Sequence, residues 1–165
     1  MKQIYCKNEF EYMAVDNQII ILSISIHSPK IIFPNLLSYK EKSLPVTAIS
    51  SYCLYPLRRK KKLASIIELN LPDSLEYIRD YAFADAFPNS TEIRISFTNS
   101  IKKIGASAFL NCPISGTIVL NNAEVDSTSF LGTNISTIMI PQCNKNCIFY
   151  KSLGKNKEQI KLCSY

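Results

Sequence analysis

The chain has 165 residues, 47% of them hydrophobic, and a formal net charge of +6. That length and apolar content fill one compact core without help from a metal or cofactor, and no run approaches the roughly 18 apolar residues of a membrane span. The positive charge is concentrated in Arg58, Arg59, Lys60, Lys61 and Lys62 and in the tail from Lys145 to Lys161, which is not the continuous basic stripe that groove binding to nucleic acid uses.

In chain order, the N-terminus carries Glu9, Glu11 and Asp16 where a secretory leader needs an uninterrupted apolar stretch, so no leader is read there and the default compartment is soluble. Residues 1–33 alternate apolar and polar, with Phe10, Tyr12 and Ala14, then Ile19, Ile21 and Ser23, on the inward side. Asp16-Asn17 between the two runs predicts a hairpin, which would form an N-terminal cap over residues 1–29. The run KIIFP from Lys30 places Ile31 and Phe33 inward and reads as the first repeat strand. An insertion over residues 35–43 follows, then LPVTAISSYCL, with Val46 and Ile49 three apart and Leu54 five further on. The segment PLRRKKK reads as a solvated loop, or else as a localisation signal or a polyanion contact.

Residues 69–112 state one pattern twice. Each copy has alternating apolar residues (Leu69 and Leu71, then Ile93 and Ile95), an apolar pair three apart (Leu75 and Ile78, then Ile101 and Ile104), and a Phe five later (Phe83, then Phe109). Gly105 follows Ile104 where Arg79 follows Ile78, and is expected to serve a turn at positive φ. A shorter copy keeps Ile118, Leu120, Val125 and Phe130, and TIMIP, with Ile138 and Ile140, begins a fifth strand. This is a repeat array, in which each unit buries its apolar face only by stacking on its neighbours. Four full repeats and a partial fifth span residues 30–142, and residues 143–165 form a C-terminal cap or tail, all within one domain.

The six cysteines lack the regular spacing of a disulfide scaffold. Cys53 and Cys112 sit at repeat positions and read as small buried hydrophobes. Cys143, Cys147 and Cys163 have no fourth ligand for a closed zinc site, and the lone His27 reads as a strand residue. No G-x-S-x-G or G-x-x-x-x-G-K motif occurs, so neither catalysis nor a cofactor nor a metal is read from the sequence. Two sequons, Asn89-Ser90-Thr91 and Asn134-Ile135-Ser136, would be modified only on secretion.

The units PVTAISSYCL, LPDSLEYIRDYAF and SIKKIGASAFLNC, each joined to a strand of the type IxLxLP, resemble the BspA-like leucine-rich repeats of bacterial and protozoan surface proteins. The resemblance implies a curved α/β or mainly β solenoid, a horseshoe fragment with a parallel concave sheet, and short strands and helical turns on the convex side. It also implies adhesion or ligand recognition at a cell surface, without catalysis, and a protein partner, either a host or a self surface protein.

With period 2, the outward residues of the concave strands are Lys30 and Ile32, Glu68 and Asn70, Glu92 and Arg94, Thr117 and Val119, and Thr137 and Met139. The expected rows are Asn70, Arg94, Val119, Met139 and, beside it, Glu68, Glu92, Thr117, Thr137. These eight residues are the candidate protein-binding site. The alternative function is an intracellular scaffold or polyanion-binding protein that uses Arg58 to Lys62, and a third reading is a structural piece of a longer surface protein.

Overall fold

A computed structural model describes residues 3–25, 28–54, 65–121 and 123–139, which hold thirteen strands and no helix. The chain opens with a meander. Strand β1 (Tyr5–Lys7) pairs antiparallel with β2 (Phe10–Val15), and β2 pairs antiparallel with β3 (Gln18–Ile24). Asp16 and Asn17 both take positive φ, 50° and 60°, as a two-residue hairpin turn between right-twisted strands requires. A bulge between Glu11 and Tyr12 corrects the inward set. Ser23 lies beside Glu11 and donates its hydroxyl to that carboxylate at 2.6 Å, while Ile24 takes the inward place next to Phe10.

Two parallel walls then run along the molecule. One begins in the meander itself: β3 pairs in parallel with β6 (Lys42–Ile49), and the ladder continues through β8 (Tyr77–Ile78), β10 (Lys103–Ile104) and β12 (Glu124–Val125). Its inward column, Ile49, Ile78, Ile104 and Val125, is buried throughout. The other wall contains β4 (Lys30–Ile32), β7 (Glu68–Asn70) and β9 (Arg94–Ser96), then β11 (Ser115–Val119) and β13 (Asn134–Met139). The insertion after β4 is itself a hairpin, β5 (Leu36–Tyr39) folding back on the start of β6 with Lys40 at φ 52°. It is joined to the cap where the Tyr12 hydroxyl donates to the Ser38 carbonyl at 2.7 Å and the rings of Tyr5 and Tyr39 meet edge to face.

The register differs from the sequence expectation in the third copy. Leu69 pairs with Ile95, not with Ile93, so Ile95 and Phe97 stand beside Leu69 and Leu71 while Ile93 faces the core two residues earlier. The reason is geometric. Between the second and third copies the first wall also steps by 26 residues, as in Ile78 to Ile104, and because Leu69 precedes Ile78 by the same nine residues as Ile95 precedes Ile104, that step holds on both walls. The next step is 21 residues, as in Lys103 to Glu124 and Ser107 to Thr128. Ile93, buried in the core, makes an isolated bridge to the equally buried Ile114.

The Phe positions form a ladder between the walls. Phe83 and Phe109 are fully buried and stack with centroids 5.0 Å apart, and Phe109 stacks on the half-buried Phe130 at 5.3 Å. Leu54, in the same column, is also fully buried.

The turns that carry this ladder are not helical among the described residues. They alternate short local bonds, such as Ala82 N–H to the Arg79 carbonyl, with bonds to the next coil, such as Phe83 N–H to the Ala108 carbonyl at 2.8 Å. That alternation requires left-handed residues at fixed places: Tyr52, Tyr81 and Ser107 in one column, and Asp85, Asn111 and Gly132 in another. Gly105 is not among them. Its role is close approach, since a Cβ there would lie 2.2 Å from Asp80 Oδ1 and 2.7 Å from the Asp80 backbone nitrogen.

Candidate functional site

The outward face of the second wall starts from short strands whose inward residues are fixed by the core. Alternation then fixes where the polar residues go. On β4, β7 and β9 the rows are Lys30, Glu68, Arg94 and Ile32, Asn70, Ser96. Lys30 Nζ lies 2.9 Å from Glu68 Oε2, and Asn70 Nδ2 donates to Glu68 Oε1 at 3.1 Å. The hydrogen bond from Lys30, then that from Asn70, holds the Glu68 carboxyl below the usual carboxylate range, and the nearby charge of Arg94 acts in the same direction.

The eight candidate residues therefore lie on one wall but in two groups. Glu68, Asn70 and Arg94 belong to the β4, β7, β9 sheet. Thr117 pairs with Thr137, and Val119 with Met139, in the β11, β13 sheet. Glu92 precedes the bridge between them and accepts a hydrogen bond from the Ser115 hydroxyl. The expected row through Asn70, Arg94, Val119 and Met139 is corrected in its first half, because Arg94 stands beside Glu68, whereas Val119 and Met139 remain neighbours. Ser96 and Ser115 were missed. The 26-residue step between the second and third copies, legible in the two Phe and the two apolar pairs, is the signal that locates Ser96.

The bridge from Ile93 to Ile114 is the last contact of the ladder between β9 and β11. Beyond it the strands part around a cleft of about 200 Å³ lined by Ile95, Ser96, Phe97, Thr117, Ile118 and Val119. The first wall, on the opposite side, presents the ion pairs Lys102 with Glu76 at 2.8 Å and Lys103 with Glu124 at 3.0 Å. It also presents the stacked rings of Tyr52 and Tyr81, 5.3 Å apart and nearly parallel. Arg58 to Lys62, His27, Ile140, Cys143, Cys147 and Cys163 lie outside the described residues. Among the described residues no three His, Cys, Asp or Glu side chains gather as metal ligands would, and no helix is long and apolar enough to cross a membrane.

Parallel strands on two walls, closed by turns that bring one Leu or Phe per coil into a common stack, define a leucine-rich-repeat solenoid. The chain belongs to the BspA type leucine rich repeat region family, whose model matches residues 29–153 in six copies. Among solved structures it is similar to a leucine rich cell surface protein from Faecalibacterium prausnitzii A2-165, with 15% identity and a TM-score of 0.58, covering 85% of this chain and 45% of that one. A leucine-rich repeat protein from Bacteroides ovatus ATCC 8483 also matches, with 14% identity, a TM-score of 0.45, and coverage of 88% and 51%. The chain thus spans about half the length of each. No curated protein matches it.

Proposed function

We propose that this chain is a non-catalytic protein-binding module, acting in adhesion or ligand recognition, that holds its partner on the wall made by β4, β7 and β9. The observation that carries the reading is the pair of in-register rows, Lys30, Glu68, Arg94 and Ile32, Asn70, Ser96, facing solvent from strands whose other side is core. Side chains on strands already fixed by packing lose little freedom when a partner arrives, so such a surface binds at small ordering cost. The exposed Ile32, 62% accessible, supplies apolar contact beside the charges. Membership of a repeat family and the fold shared with a bacterial cell surface protein support an interaction role, displayed on a cell surface. The same reading takes residues 1–165 as a single domain, with its hairpin cap at one end and a second cap at the other.

The test is affinity capture with the whole chain, followed by Ile32→Arg and Asn70→Arg on this wall and Lys103→Ala on the other. Loss of a captured partner in the first two variants and not in the third is the expected result. Equal loss in all three, or loss only with Lys103→Ala, would move the binding face.

A further inference from the structure

We infer that the seam between β9 and β11 is the specificity site of this wall and takes an extended peptide bearing a carboxylate and, two or three residues away, one apolar side chain. The inference rests on the binding function proposed above and assigns the ligand's chemistry. Three observations carry it.

The first is charge. On this wall Lys30 and Glu68 neutralise one another, and Glu92 is engaged by Ser115. Arg94 is exposed, stands on the far side of Glu68 from Lys30, and forms no ion pair among the described residues. A planar guanidinium on a fixed strand, beside a carboxylate that Lys30 and Asn70 already engage, is complementary to a further carboxylate, which it can bind through two parallel hydrogen bonds.

The second is shape. The cleft opens beside Arg94 along the same strand, and its lining sets Ser96 and Thr117 beside Ile95, Phe97, Ile118 and Val119, the last 45% exposed and so the apolar side chain a ligand meets. At about 200 Å³ it holds one aliphatic or aromatic side chain rather than a whole ligand. An extended chain rises about 3.3 Å per residue, so a carboxylate on Arg94 and a side chain beside Phe97 belong to residues two or three apart in the peptide.

The third is the backbone. The amide of Ile93 reaches the Pro113 carbonyl across the seam at 2.8 Å, while the amide of Arg94 turns the other way, to Ile67. Alternation therefore aims Ile95 and Phe97 at β11, yet no bond joins β9 to β11 beyond the bridge. Main-chain groups that face a gap in a sheet are what an extended peptide pairs with.

The experiment uses the whole chain, labelled with ¹⁵N, and four pools of capped peptides. One pool carries Asp and Leu two or three residues apart in either order. The other three replace Asp by Asn, Leu by Ser, or both. The Asp and Leu pool is expected to shift the amides of Ile95, Phe97, Thr117 and Val119 and the side-chain Nε–H of Arg94, and to bind about tenfold more tightly than either single replacement. Arg94→Gln should remove the preference for Asp over Asn while leaving that for Leu over Ser, and Arg94→Lys should restore part of it.

Equal binding of the Asp and Asn pools, or no binding at millimolar peptide, would overturn the inference. Shifts confined to Ile32 and Asn70 would also overturn it while leaving the wall as the binding face. Shifts at Tyr77 and Lys103 would overturn both the inference and the proposed function.

Discussion

Phe109 is held between two nearly parallel rings, with Phe97 edge-on at 5.6 Å, so its removal opens a void that three neighbours must fill. Phe109→Ala is expected to cost about 3–5 kcal/mol, read from denaturant unfolding, because the flanking coils fix the backbone and the site collapses poorly. Phe130→Ala should cost less, its ring being only half buried. Gly105→Ala should be destabilising by about 1–3 kcal/mol, since the new methyl meets the Asp80 backbone as well as its side chain. The buried thiols give a pH signature. Burial pushes the Cys53 thiol up to about 12, and raises Cys112, whose Sγ lies 3.1 Å from the Phe83 carbonyl, in the same direction. The unfolded thiols ionise near their ordinary value of 9.0, and the folded ones do not. Stability from this source is therefore complete below about pH 9 and is lost as the pH rises from there towards the folded values. The melting temperature is expected to fall across that range, and to fall less steeply in Cys53→Ala.

At the scale of elements, the register on the second wall is open to a direct check. Neighbouring parallel strands are about 4.8 Å apart, within disulfide reach, so a Glu68→Cys, Arg94→Cys chain should cross-link on mild oxidation. A Glu68→Cys, Glu92→Cys chain should not, because an offset of two residues adds about 6.6 Å along the strand. Quantitative linking of the second pair would restore the register expected from sequence. The hairpin cap and the Phe ladder were legible because each rests on a local signal: Asp-Asn between alternating runs, and a Phe at a fixed distance from the apolar partner. The strand pairing of β9 was not, because Ile93, Ile95 and Phe97 all face inward, so alternation alone lets either Ile93 or Ile95 stand beside Leu69. Only the pairing of both walls in one coil chooses between them. The cleft was illegible for a related reason: it exists where a ladder stops, and no residue type announces that. The left-handed tyrosines gave no signal either: Tyr81 is held at positive φ with its amide bonded to the Ala106 carbonyl of the next coil, not by any preference of its own.

At the scale of the whole molecule, the two walls are unequal. The first runs from the cap through five successive parallel strands, whereas the second is divided into three strands and two. Continuity of the first wall carries the stack past the seam, which frees the second to vary its outward residues and its spacing. The cap is continuous with the first wall, because β3 pairs antiparallel with β2 on one side and in parallel with β6 on the other. The step of 26 residues that both walls share between the second and third copies also makes this coil a unit of copying. A tandem duplication of residues 79–104 would return each wall, each left-handed turn and the Phe column to the same neighbours. The protein can therefore lengthen by whole coils within a single recombination event. A chain carrying that duplication should fold with a melting temperature no lower than the parent's, whereas a duplication of 24 residues, ending two short, should not.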